Sequence, residues 1–211
     1  MRGRFITLEG LNGSGKTTQA RWLSEWLRAQ GIGHLLTAEP GGTRLGKAVR
    51  ELVLGQPMDS RAELLLFLAA RAQHLREVIR PALAEGRHVI CVRFGDSTLA
   101  YQGYGRGLDL EWIARLQGFV SPDLRPDLTL LLDCPPEVSL QRAGRSGGRF
   151  LEEDLDFHRR VREGFLELQR REPERVRLLD ATAAPEVVRA QVRRAVGELS
   201  GLTAEAGKEG T

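Results

Sequence analysis

The chain has 211 residues, 41% of them hydrophobic and 28% charged, with two cysteines and a net charge of +3. That length supports one substantial domain with its own core, needing neither disulfides nor a structural metal. Acidic residues interleave with the basic ones, which argues against a nucleic-acid partner, and no apolar run approaches the roughly 20 residues of a membrane span.

In chain order, strand-like apolar runs are expected at 4–9, 34–38, 88–92, 128–133 and 175–180. Helical patterns fill the intervals, at 17–30, 45–54, 61–84, 111–119, 137–142, 152–171 and 185–199. In the first helix Ala20, Leu23 and Leu27 recur at helical spacing and face the sheet. The strands are continuously apolar rather than alternating, so both of their faces are covered. The fold class is therefore α/β: a three-layer α/β/α arrangement around a five-stranded parallel sheet. One domain is expected over 1–200, with a flexible Gly-, Ala- and Glu-rich tail at 201–211. Cys91 and Cys134 lie in apolar strand-like runs, and residues 1–4 lead directly into the first strand without a signal-like segment. Both features fit a reducing, cytoplasmic place.

Between the first strand and the first helix, Gly10-Leu11-Asn12-Gly13-Ser14-Gly15-Lys16-Thr17 matches G-x-x-x-x-G-K-[ST]. Glycines let such a loop turn backbone N–H groups toward a phosphate chain, and the helix N-terminus adds partial positive charge. Lys16 then reaches the terminal phosphates, Thr17 ligates Mg²⁺, and Thr18 completes the ATP-binding run. The motif announces a nucleoside triphosphate without saying what is done with it.

After the second strand comes Glu39-Pro40-Gly41-Gly42-Thr43, at the carboxyl edge where parallel sheets bind ligands, although a simple tight turn reads equally well. In the third helical stretch Arg71 interrupts a strongly apolar run, and alone it reads as a snorkelling side chain. His74 alone reads as a hydrogen-bonded histidine rather than a catalyst. The third strand stops at Arg93 and opens into a polar, glycine-containing loop.

"ITLEGLNGSGKTTQA", "EPGGT", "LLFLAARAQH", "RFGDSTLAYQGYGRGL", "LLLDCPPE" and "FHRRVREGFLEL" occur in this order. Together they resemble the bacterial thymidylate kinases, over about Phe5 to Leu199. The resemblance implies a P-loop nucleotide kinase fold, transfer of the γ-phosphoryl of ATP to dTMP with Mg²⁺, and a homodimer. It implies that Phe67 stacks on thymine and Arg71 hydrogen-bonds the base. Glu39, Thr98, Tyr101 and Gln102 are implied to contact the nucleotide, with Tyr101 under the deoxyribose. Arg93 matches the arginine that clamps the acceptor phosphate, a role suited to a planar guanidinium that holds phosphate oxygens bidentately. The segment 142–150 resembles the mobile lid, and with no arginine in the P-loop the catalytic one is expected from it, as Arg145 or Arg149.

Four positions depart from the family pattern. Asn12 replaces an acidic P-loop residue, Ala38 an arginine before "EPGGT", Gly148 an aspartate, and Val92 the strand-end aspartate that orients Mg²⁺. Thr17 and the triphosphate are then expected to hold the metal, with Glu9 and Asp96 as substitutes. The departures leave two alternatives open: a weakly active nucleotide-binding paralogue with a regulatory or scaffold role, or a kinase of altered monophosphate specificity.

Overall fold

The computed structural model describes residues 2–144 and 148–199; Arg145 and the tail 201–211 lie outside the described residues. Five strands, β1 (Phe5–Glu9), β2 (His34–Ala38), β3 (His88–Val92), β4 (Leu128–Asp133) and β5 (Val176–Asp180), form one sheet in the order β2-β3-β1-β4-β5. Every pairing is parallel, as the continuous apolar runs require. Side chains alternate across β3. Ile90 and Val92 join Leu23 and Leu27 of α1 (Lys16–Ala29) and Val192 and Val196 of α9 (Pro185–Gly197) on one face. Val89 and Cys91 meet Phe5, Leu75 and Ile79 on the other. Both faces are thus covered, which gives the three layers.

Several other helices start at side-chain caps. Thr43 caps α2 (Arg44–Gly55), Asp59 caps α3 (Ser60–His74), and Asp154 caps α8 (Leu155–Arg171). Helix α1 differs: Gly15 precedes it at φ 92°, no side chain caps it, and its first turn holds no acidic residue. Its terminal N–H groups are left for a ligand.

Two stretches differ from the expected pattern. The helix expected at 61–84 is three joined pieces: α3, a π-helical stretch Leu75–Ile79, and α4 (Arg80–Ala84). More consequentially, the expected glycine-containing loop after β3 is helical, as α5 (Gly95–Thr98) followed by the π-helical stretch Leu99–Gly105. Its glycines serve close packing. A Cβ on Gly105 would lie 2.7 Å from the Phe157 ring, and one on Gly103 would lie 2.4 Å from Leu110. Tight packing against α8 and α6 (Leu110–Val120) holds this segment in place, although its composition reads as a loop. Helix α7 (Pro136–Ala143) and a 3₁₀ turn (Gly148–Leu151) flank the residues outside the description.

Candidate active site

The carboxyl ends of β1, β2 and β3 open onto two adjoining cavities. The donor groove runs over the P-loop and is lined by Asn12, Gly13, Gly15, Lys16, Thr17 and Thr18, together with the tips of β2 and β3. Gly10, Leu11 and Ser14 support the loop from within. Gly10 offers its carbonyl to Arg93, Leu11 is a core residue, and Lys16 Nζ donates to Leu11 O at 2.5 Å and to Ser14 Oγ at 3.4 Å. The second cavity takes all seven expected acceptor residues: Glu39, Phe67, Arg71, Arg93, Thr98, Tyr101 and Gln102.

Arg93 lines both cavities. It sits just past the tip of β3 at φ 68°, a left-handed conformation that costs a non-glycine residue roughly 1–3 kcal/mol. Its own N–H is tied to Leu8 O at 3.0 Å, which fixes the turn. The guanidinium then reaches Ser97 Oγ (3.0 Å), Asn12 Oδ1 (2.6 Å) and Tyr101 OH (3.2 Å), and lies 4.9 Å from the centre of the Tyr101 ring. Asn12 therefore serves as an uncharged acceptor for Arg93.

Burial first, then the charge of Arg93, holds the Lys16 ammonium well below its ordinary proton affinity. The same two causes lower Arg50, which lines both cavities from α2. The Arg93 charge thus opposes both Lys16 and Arg50, and a polyanion relieves that repulsion. Arg50 went unnoticed in the sequence because an arginine on an amphipathic helix looks like any solvated one. Only the packing of α2 on α3 places it over both cavities.

The carboxylates near the P-loop are engaged elsewhere. Glu9, fully buried at the end of β1, accepts from Phe94 N–H (2.6 Å), Ser97 N–H (3.3 Å) and Ser97 O–H (2.5 Å). Burial, reinforced by Asp96, pushes its carboxyl up to about 7. Glu9 is not among the residues lining either cavity, whereas Thr17 lines the groove. The expectation that Asp96 substitutes at the metal is corrected. It pairs with Arg175 at 2.8 and 2.9 Å and accepts from Thr129 at 2.9 Å, so it anchors α5 to the β4–β5 edge. No cluster of three potential acidic, His or Cys ligands occurs among the described residues.

The departures have local reasons. Ala38 and Val92 are register partners across β2 and β3, and together they make an apolar patch on the groove floor. Gly148, at φ 55°, lies where a Cβ would come 2.8 Å from the Leu54 carbonyl, so an aspartate has no room. Arg142 lines the groove and donates to Ala181 O at 2.7 Å. Arg149 is not among the cavity-lining residues. Its Nε donates to Val53 O at 2.8 Å, and its Nη2 pairs with buried Glu63, to which Arg106 and Gln102 also bond.

The family model described as thymidylate kinase matches residues 8–192. A thymidylate kinase of Desulfovibrio desulfuricans is 51% identical over 91% of this chain and 94% of its own length. One from Carboxydothermus hydrogenoformans is 50% identical over 96% and 99%. The crystal structure of thymidylate kinase from Ehrlichia chaffeensis superposes with a TM-score of 0.79 at 38% identity, covering 93% of this chain and 99% of that one. With the P-loop, the acceptor cavity and Arg93 between them, these similarities place the chain in the thymidylate kinase family.

Proposed function

We infer that the chain is a thymidylate kinase, transferring the γ-phosphoryl of ATP to dTMP to give dTDP and ADP. The observation that carries this reading is Arg93, held between the P-loop groove and the second cavity by its strained turn and four hydrogen-bond acceptors. Phosphoryl transfer needs alignment and charge neutralisation more than covalent help from the protein. The P-loop N–H groups and Lys16 hold the donor phosphates, while Phe67, Arg71, Tyr101 and Gln102 hold the acceptor nucleoside. Arg93, with Arg50 beside it, draws the acceptor phosphate against the donor. Magnesium, held by Thr17 and phosphate oxygens, would neutralise charge on the bridging oxygens. Arg149 reaches the transferring phosphoryl only by leaving Glu63; Arg145, outside the described residues, is the other candidate. An ADP-release assay with a panel of deoxynucleoside monophosphates tests the assignment. Nucleotide binding without turnover of any of them would replace it with the scaffold reading, which nothing in the comparisons supports.

A single domain and a homodimer belong to the same reading. One sheet and its flanking layers carry both cavities. The α3–α6 side exposes Leu65, Trp112 (62% exposed) and Phe119 (86%), an apolar surface of the kind that pairs with a second copy. Light scattering at assay concentrations should give twice the chain mass. A cytoplasmic place is supported by two free, buried cysteines. No helix among the described residues is long and apolar enough to cross a membrane.

A further inference from the structure

A line of polar side chains runs from the donor groove to the acceptor cavity. Thr37 on β2 lines the groove, and its hydroxyl lies 2.7 Å from His74 Nε2. The other ring nitrogen, Nδ1, lies 3.1 Å from Glu39 Oε1. The second carboxylate oxygen of Glu39 accepts from Arg71 Nε at 2.8 Å, and Arg71 Nη2 donates to Thr98 Oγ1 at 2.9 Å. A carboxylate only accepts, so His74 Nδ1 carries the hydrogen, and in the neutral ring Nε2 accepts from the Thr37 hydroxyl. His74 and Arg71 are 2% and 3% exposed. Arg71 Nη1 is buried without a partner, in a residue that lines the acceptor cavity. A buried guanidinium nitrogen beside a cavity needs an acceptor from the ligand.

The second glycine of "EPGG" belongs to the same arrangement. A Cβ on Gly42 would lie 2.2 Å from His74 Nε2 and 2.8 Å from Thr37 Oγ1. Gly42 is not among the positive-φ glycines, so the imidazole rather than the turn demands glycine there.

We propose that His74 is a positioning residue for the acceptor base: it holds Glu39, and Glu39 holds Arg71 with its unpaired edge ready for a base carbonyl. A guanidinium only donates, so an arginine fixed in this way donates to the carbonyl of a thymine and disfavours the amino group of a cytosine. Freezing Arg71 before the nucleotide arrives removes an ordering cost from binding. The proposal rests on the dTMP kinase reading, and it assigns to His74 the role of selecting the acceptor without touching it.

Steady-state kinetics of the full chain with dTMP and dCMP, beside thermal melts, test it. His74→Ala should raise KM for dTMP roughly tenfold and narrow the preference for dTMP over dCMP. kcat and KM for ATP should stay within about twofold. His74→Asn, which keeps an amide donor near the place of Nδ1, should recover most of the loss. A folded His74→Ala with unchanged dTMP KM overturns the proposal. So does a loss spread equally over kcat and ATP binding that Asn does not rescue, because a purely structural role predicts that pattern. Should His74→Ala not fold, Thr37→Val decides. A rise of about two- to threefold in dTMP KM supports the relay, and no change overturns it. Failure of the underlying reading shows separately, as absent dTMP turnover in the unmutated chain, and dTMP calorimetry then carries the same comparison of variants.

Discussion

In the acceptor cavity nearly every polar side chain is already held by another: Arg71 by Glu39 and Thr98, Gln102 by Glu63, Arg93 by Asn12 and Tyr101. The donor groove presents backbone N–H groups, an uncapped helix end and, at the tips of β2 and β3, the apolar Ala38 and Val92. The contrast follows from what each must recognise. A base is told from other bases by donors and acceptors at fixed points, and only held side chains provide those. A triphosphate is recognised by charge and by backbone geometry that no side-chain substitution removes. The loss of charge at Ala38 and Val92 falls in the groove, while the second cavity keeps the polar side chains that the resemblance implies.

The contrast is sharpest when one cation is removed from each side. Lys16→Ala should lower kcat by about 10³ with little change in KM for dTMP, because the ammonium matters most as charge develops in transfer. Arg71→Ala should lower kcat/KM for dTMP by about 10² and leave KM for ATP nearly unchanged; a parallel loss in ATP binding would break the division into two regions. Val92→Asp, which restores a carboxylate on the groove floor, should raise kcat about tenfold and lower the magnesium concentration for half-maximal rate. A folded variant with unchanged magnesium dependence would show that the carboxylate is dispensable in this chain.

The smallest effect concerns Glu9, on the border of the two regions. Its folded carboxyl, near 7 rather than the ordinary 4.5, favours the protonated form. Its contribution to stability is therefore full below about pH 4.5, fades as pH rises to about 7, and is gone above that. Glu9→Gln, which cannot ionise, should gain on the nucleotide-free wild type across this window by on the order of 1–3 kcal/mol. Urea melts at several pH values measure the difference, and parallel profiles for the two proteins would show that Glu9 titrates normally.

Much of this was legible in the residues. All five strands fall where the apolar runs lie, because a strand buried on both faces must be apolar throughout. The P-loop was equally plain, since its glycines and Lys16 act locally, through backbone contiguous in sequence. The helical character of 95–105 was hidden, because glycines that admit Phe157 and Leu110 resemble glycines that loosen a loop. Asp96 misled for a related reason: its partners Arg175 and Thr129 are distant in sequence and adjacent only once β4 and β5 pair.

The sequence by itself determined the parallel α/β sheet, the glycine-rich loop before α1 and, by resemblance, the residues that line the second cavity, since each of these is written in local pattern. Tertiary structure alone decided which charges are free. Arg50 lines both cavities, Arg149 is tied to Glu63, Asp96 to Arg175, and His74 stands behind Glu39. Whether a charged group serves a ligand or a neighbour depends on which distant side chain the fold brings within about 3 Å of it, and spacing along a chain does not contain that distance.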